Sequence, residues 1–95
     1  MKDPINIALI GAGRIGRVHA ETLAYRIPAA RLAAIADVRE QAARQLAEQY
    51  HVPRVAQEPR ALLDDPSIEA VVICASTDTH ARLIEEAAQA GKHIF

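Results

Sequence analysis

Two hydrophobic periods alternate along the chain. Ile5 to Ile10 is a nearly continuous apolar run with β-branched members, the pattern of a strand buried on both faces. From Arg14 the period lengthens. Ile15, Val18, Thr22 and Leu23 share one arc of a helical wheel, while Arg14, Arg17, Glu21 and Tyr25 lie mostly outside it, so a helix is predicted that ends before Pro28. The unit then repeats in kind. "RLAAIADV" is a second apolar strand closing on Asp37, and residues 39–50 form a second helix with Ala43, Leu46, Ala47 and Tyr50 at i, i+3, i+4 and i+7. Glu40 and Arg44 are placed to pair across one turn of its wet face.

Beyond that helix the elements shorten. "HVPRVA", interrupted by Pro53, supports only a brief strand at a sheet edge. "EPRALLDDPSIEA" reads as a short helix with Pro59 in its first turn, where the missing N–H costs nothing, followed by a turn at Asp65 and Pro66. "AVVICAS" is the third strong strand. Asp78 or Thr79 would cap the next helix, with Arg82, Glu85, Glu86 and Gln89 facing water, His80, Ile84, Ala87 and Ala88 facing inward, and Gly91 ending it. "KHIF" opens one more strand. Strands alternating with helices, without hairpin signals, imply parallel pairing and right-handed crossovers. The predicted fold is α/β, a three-layer, Rossmann-like doubly wound sheet of order 3-2-1-4-5 whose ligand lies beyond the carboxyl ends of the strands, at the switch point between the first and fourth.

Composition narrows this picture. A chain of 95 residues holds one domain and one core, and with 51% apolar but only 3% aromatic residues that core is built of Ala, Ile, Leu and Val. The 11 basic and 12 acidic residues are scattered singly, with no basic stripe to neutralise a run of phosphates, so nucleic acid is not expected as a partner. The longest apolar run, Ala70 to Ala75, is far below the roughly 20 residues of a membrane-spanning helix. No signal peptide is evident either, and a soluble cytoplasmic protein is expected. The single cysteine, Cys74, falls inside that apolar run and reads as a protonated core residue. His19, His51, His80 and His93 lack the spacing of a zinc site, so no metal is expected.

The candidate chemistry lies in "GAGRIG". Gly11, Gly13 and Gly16 stand between a predicted strand and a predicted helix, where the first permits a tight turn, the second lets backbone approach a pyrophosphate, and the third lets helix pack close to strand. The phosphates would meet the free N–H groups at the helix start, around Arg14 and Ile15. Asp37 ends the second strand about 20 residues past the last glycine, the position from which a carboxylate accepts the adenosine ribose hydroxyls and repels a 2′-phosphate. That favours NAD over NADP. A helix-capping role for Asp37 stands beside this reading. Val38 and Arg39 follow it, and the Arg39 guanidinium could greet a 2′-phosphate, stack over adenine or remain solvated. Ser76 and Thr77, in "STDTH", leave the third strong strand on the same edge, for the ribose or nicotinamide half or for capping a helix. His80 has a near-neutral unperturbed pKa but an inward position that suits a structural histidine, and His19, on the apolar arc of the first helix, is assigned no chemistry. No nucleophile stands beside a base, so no catalytic residue is assigned.

Taken together, "IALIGAGRIGRVHAETL", "IADV" and "LLDDPSIEAVVICASTDTHARLIEEAAQAGKHIF" resemble the N-terminal domain of the Gfo/Idh/MocA oxidoreductases over nearly the whole chain. The resemblance implies an NAD-dependent dehydrogenase acting on the CH–OH group of a polyol or sugar. It places the cofactor contacts on Gly11 to Gly16, on Asp37 and its neighbours, and on Ser76 and Thr77, with His80 in the matching loop. The family's catalytic lysine belongs to a Glu-Lys-Pro stretch that follows the "GKHIF" strand, and its substrate-binding domain lies further on. Residues 1–95 are therefore expected to be an NAD(P)-binding domain truncated before its reacting half. Alone, this chain would bind NAD weakly or not at all and would be inactive; a non-catalytic nucleotide-binding or structural half-Rossmann module is the alternative. An open sheet edge and uncovered apolar surface would favour self-association.

Overall fold

Strand β1, Ile5–Ile10, forms where the sequence is most apolar, and its last four residues are buried. The structure, a computed structural model, describes residues 3–75 and 77–95. After β1 come α1 (Arg14–Tyr25), β2 (Ala30–Ala36), α2 (Glu40–Tyr50), β3 (Arg54–Ala56), α3 (Pro59–Leu63), β4 (Ala70–Ile73), α4 (Thr77–Gln89) and β5 (His93–Ile94). All neighbouring strands pair in parallel, in the order β3-β2-β1-β4-β5. The order expected from alternating periods is the one observed.

Helices cover both faces of the sheet. On one, α1 and α2 lay Ala20, Leu23, Ala43 and Leu46 over Ile7, Leu9, Leu32, Ile35 and Val72. On the other, Leu62 and Leu63 of α3 and Leu83 and Ala87 of α4 cover Ala8, Ile10, Ala34, Val71 and Ile73. Strict alternation would send Leu32 and Ile35 to opposite faces. The pairing of β1 with β2 instead shifts by one residue, Ile7 opposing Leu32 and Ala8 opposing Ala34, so Ala33 is extra and both large side chains meet α1 and α2.

Two helix faces differ from the sequence expectation. On α1 the buried residues are Gly16, Ala20 and Leu23, whereas Ile15 is 63% and Val18 60% exposed. The smallest side chains set the contact line because they allow the helix axis closest to the sheet, and this turns Ile15 and Val18 outward. His19, expected on the apolar arc, is exposed as well. On α4, Leu83 and Ala87 are buried while Ile84 and Ala88 are exposed, and His80 is half-buried. The inward line runs through 80, 83 and 87, so His80 and Ala87 face as expected while Leu83 stands in place of Ile84 and Ala88. The same helix begins at Thr77, so Asp78 and Thr79 fall within its first turn and do not precede it as caps.

The ends and links follow their local chemistry. Pro59 opens α3 at its first position. Gly91, at φ +76°, closes α4 with its N–H donating to Ala88 O and that of Lys92 to Ala87 O, both at 3.0 Å, the paired bonds of a left-handed C-terminal cap. The Lys92 ammonium donates to the carbonyls of Asp65 and Ile68, at 2.7 and 2.6 Å, and so ties the last crossover to the α3–β4 link. In that link the Ser67 hydroxyl and backbone N–H donate to Asp65, and Arg54 pairs with it. Those bonds hold the Asp65 carboxyl below the usual value. Glu40 pairs with Arg44 along α2. Among the described residues no helix is long and apolar enough to cross a membrane.

Candidate functional site

The glycine turn is built by three strands at once. Gly11 N–H donates to Ala36 O of β2 and Cys74 N–H to Ile10 O of β1, both at 2.7 Å. Gly11 takes φ +107°, a conformation open to glycine, and a Cβ there would stand 2.6 Å from the Cys74 carbonyl oxygen. This is where β1 parts company between β2 and β4, the switch point at which an open α/β sheet leaves a crevice. Gly16, one helical turn into α1, lies against Gly11: a Cβ on it would be 2.0 Å from Gly11 O. Gly13 differs, since a Cβ on it would meet nothing within 4 Å. The chain leaves room there for another molecule.

That room is a cleft of about 360 Å³. Gly11 and Gly13 line it from one side, Asp37, Val38 and Arg39 from the end of β2, and Glu58, Pro59, Thr79 and Arg82 from the starts of α3 and α4. Gly13 supplies no side-chain cap to α1, and no acidic residue occupies the helix's first turn. The leading N–H groups of the helix, including those of Arg14 and Ile15, thus have no partner within the helix and carry its positive end. Asp37 is already engaged: its Oδ2 accepts the Ala12 N–H at 2.7 Å and its Oδ1 the Arg39 N–H at 2.8 Å. A carboxylate offers about four lone-pair directions, so each oxygen keeps one for a hydroxyl. Anionic phosphates at the helix start and a diol at Asp37 fit this donor and acceptor set, which is what the ADP half of a dinucleotide presents.

The remaining sequence candidates fall elsewhere or at the border. Arg14 is exposed at the start of α1. Ile15 and His80 line a second, larger cavity of about 810 Å³, between α1 and the β4 and β5 side of the sheet. Cys74 lines both cavities. It is half-buried, less deep than a core position, because the cavity opens beside it, and burial still pushes its thiol pKa up. Thr77 is the first residue of α4, and Ser76 lies outside the described residues. The sequence reading missed Glu58, Pro59, Thr79 and Arg82. Their signal was topological: the starts of α3 and α4 follow strands whose carboxyl ends frame the same crevice. The larger cavity borders neither Gly13 nor Asp37.

Comparison with known proteins identifies the family. The family model of the Gfo/Idh/MocA oxidoreductases, described as an NAD-binding Rossmann fold, matches residues 5–95. The chain is 44% identical over 91 residues to myo-inositol 2-dehydrogenase of Thermotoga maritima, covering 96% of this chain and 27% of that protein. It is 47% identical over 92 residues to inositol 2-dehydrogenase of Rhizobium meliloti, with 96% and 27% covered. Among solved structures, scyllo-inositol dehydrogenase from Lactobacillus casei with bound NAD(H) and scyllo-inositol superimposes at a TM-score of 0.92, 31% identical, over 98% of this chain and 27% of that one. The chain thus spans about a quarter of the length of these relatives.

Proposed function

Since the chain belongs to the Gfo/Idh/MocA oxidoreductase family, as its NAD-binding Rossmann domain, we propose that residues 1–95 hold the ADP half of NAD for a dehydrogenase acting on inositol or a related polyol. The cleft that gathers Gly11, Gly13 and Asp37 at the switch point carries this reading. Gly11 and Gly16 shape the turn, Gly13 and the N–H groups of Arg14 and Ile15 receive the pyrophosphate, and Asp37, with Val38 and Arg39 beside it, receives the adenosine ribose. Ser76, Thr77 and His80 belong to the nicotinamide side. Bound NAD supplies a hydride acceptor: the carbinol carbon gives up a hydride, its hydroxyl loses a proton, and a ketone results. We assign no residue of this chain as the base for that proton. The names of the relatives support inositol as the substrate class.

NAD is preferred to NADP because a 2′-phosphate would meet the Asp37 carboxylate at close range, with the Arg39 side chain, just before α2, on the rim beside it. Titration calorimetry with NAD, NADP and ADP-ribose tests this. NAD and ADP-ribose should bind weakly but saturably, NADP roughly tenfold or more weaker, a difference of about 1.4 kcal/mol. NADP binding as tight as NAD would overturn the preference. No binding of any of the three would favour a purely structural module.

The proposal extends to assembly. Ile5, Ile15, Ile27, Ile84 and Phe95 are large apolar side chains exposed by between 37% and 74%, and all five line the 810 Å³ cavity. Apolar surface concentrated beside the free edge of β5 favours pairing of two copies, edge to edge or by exchange of a terminal element. Sedimentation velocity of the 95-residue chain at high micromolar concentration should show a dimer that Ile15→Glu weakens. A clean monomer would end this part of the proposal.

A further inference from the structure

Asp37 bonds two separate turns. Ala12, which donates to Oδ2, lies inside the glycine turn that leads into α1, and Arg39, which donates to Oδ1, occupies the position just before α2. Neither Gly13 nor Arg39 gives its own helix a side-chain cap. One carboxylate therefore fastens the start of α1 to the start of α2. From these two bonds we propose that Asp37 is a positioning residue that sets the shape of the phosphate-binding turn, a role separate from accepting the ribose hydroxyls. The inference rests on the reading of the glycine turn as the phosphate site.

The chemistry requires an ionised carboxylate. Both neighbours are N–H donors, so both arms of the side chain must accept, and bonds from N–H to an ionised acceptor are about twice as strong as neutral ones. Asparagine accepts on one arm only. Its NH₂ would face the Ala12 or the Arg39 N–H, donor against donor, and the glycine turn or the start of α2 would be released. The Gln57 side chain, which donates to Val38 O at 3.0 Å, holds the β2–α2 turn from the β3 side. The Gln57 bond would persist in Asp37→Asn and keep the β2–α2 turn in place, so the glycine turn is the one the variant should loosen more.

The test uses Asp37→Asn and inorganic pyrophosphate, a probe with no ribose. In ligand-free protein, the Ala12 amide should exchange with solvent at least roughly tenfold faster in the variant than in the wild type, the expected cost of a lost charge-assisted bond. Pyrophosphate affinity should fall severalfold. Charge alone predicts the reverse, because removing a negative group beside an anion site tightens anion binding. Unchanged Ala12 exchange would overturn the bond. Faster exchange with unchanged or tighter pyrophosphate binding would overturn the positioning role while leaving the bond in place. Wild-type protein that protects Ala12 but binds no pyrophosphate would instead overturn the phosphate-site reading, and the positioning role with it. If the variant fails to fold, the hydrogen-bond scalar coupling between the Ala12 amide nitrogen and the Asp37 carboxyl carbon in the wild type decides the bond, and its absence refutes it.

Discussion

Gly16→Ala is expected to lower the thermal midpoint by about 10 °C or more. The added Cβ would lie 2.0 Å from the Gly11 carbonyl oxygen and 2.9 Å from its carbon. Both are backbone atoms of a turn pinned by the Gly11 N–H bond to β2 and the Ala12 N–H bond to Asp37, so neither can rotate aside as a side chain would. The helix must lift from the sheet or the turn must distort. Overpacking of this kind costs roughly 1 to 3 kcal/mol, and contact with immovable backbone belongs at the upper end. Alanine returns about 1 kcal/mol through its better helix propensity. A net loss of about 2 kcal/mol corresponds to roughly 8 to 16 °C in a domain of this size. The same lift would pull Ala20 and Leu23 from Leu9 and Ile35, since α1 reaches the sheet through one line of residues. Thermal unfolding followed by circular dichroism reads the effect, and an unchanged midpoint would mean that α1 does not approach the turn as closely as described.

Gly13→Val should show the opposite balance. A side chain there meets open space, and φ −78° with ψ −162° is extended backbone that any residue adopts. Valine is a poorer residue than glycine just before a helix, which limits the stability loss to about 1 kcal/mol. Its methyl groups, however, would fill the space left for the pyrophosphate and screen the N–H groups at the start of α1. NAD affinity should fall by roughly 100-fold or more, equivalent to about 2.7 kcal/mol. Two glycines three residues apart thus separate folding from binding: the one whose Cβ has no room serves the fold, and the one whose Cβ has room serves the ligand.

How far these features could be read from the chain depends on what each was set by. The strands follow from local apolar runs, and the order β3-β2-β1-β4-β5 from the alternation of periods, so both were legible. Gly11, Gly13 and Asp37 were legible because their spacing reflects a turn geometry that any chain making it must satisfy. The facing of α1 was not, because the helical wheel ranks Ile15 and Val18 above Gly16 and Ala20 for burial, whereas close approach to a sheet ranks them the other way. Ile84 and Ala88 were misplaced for a related reason: Leu83 takes the sheet, which leaves Ile84 exposed on the wall of the 810 Å³ cavity. The extra residue Ala33 left no trace, since a run of alanines reads alike in either register. Glu58 and Arg82 entered the cleft only once the crossovers had brought the starts of α3 and α4 to the same edge.

The central claim is that the cleft at the switch point receives the ADP half of NAD. Amide chemical-shift mapping during an NAD titration tests it most directly, because it locates a weak ligand as well as detecting it. The account predicts saturable shifts at the amides of Gly11 to Gly16 and of Asp37 to Arg39 in the wild type, and their disappearance in folded Gly13→Val. Shifts confined to the apolar cavity around Ile5, Ile27 and Phe95, or none at millimolar NAD, would contradict it.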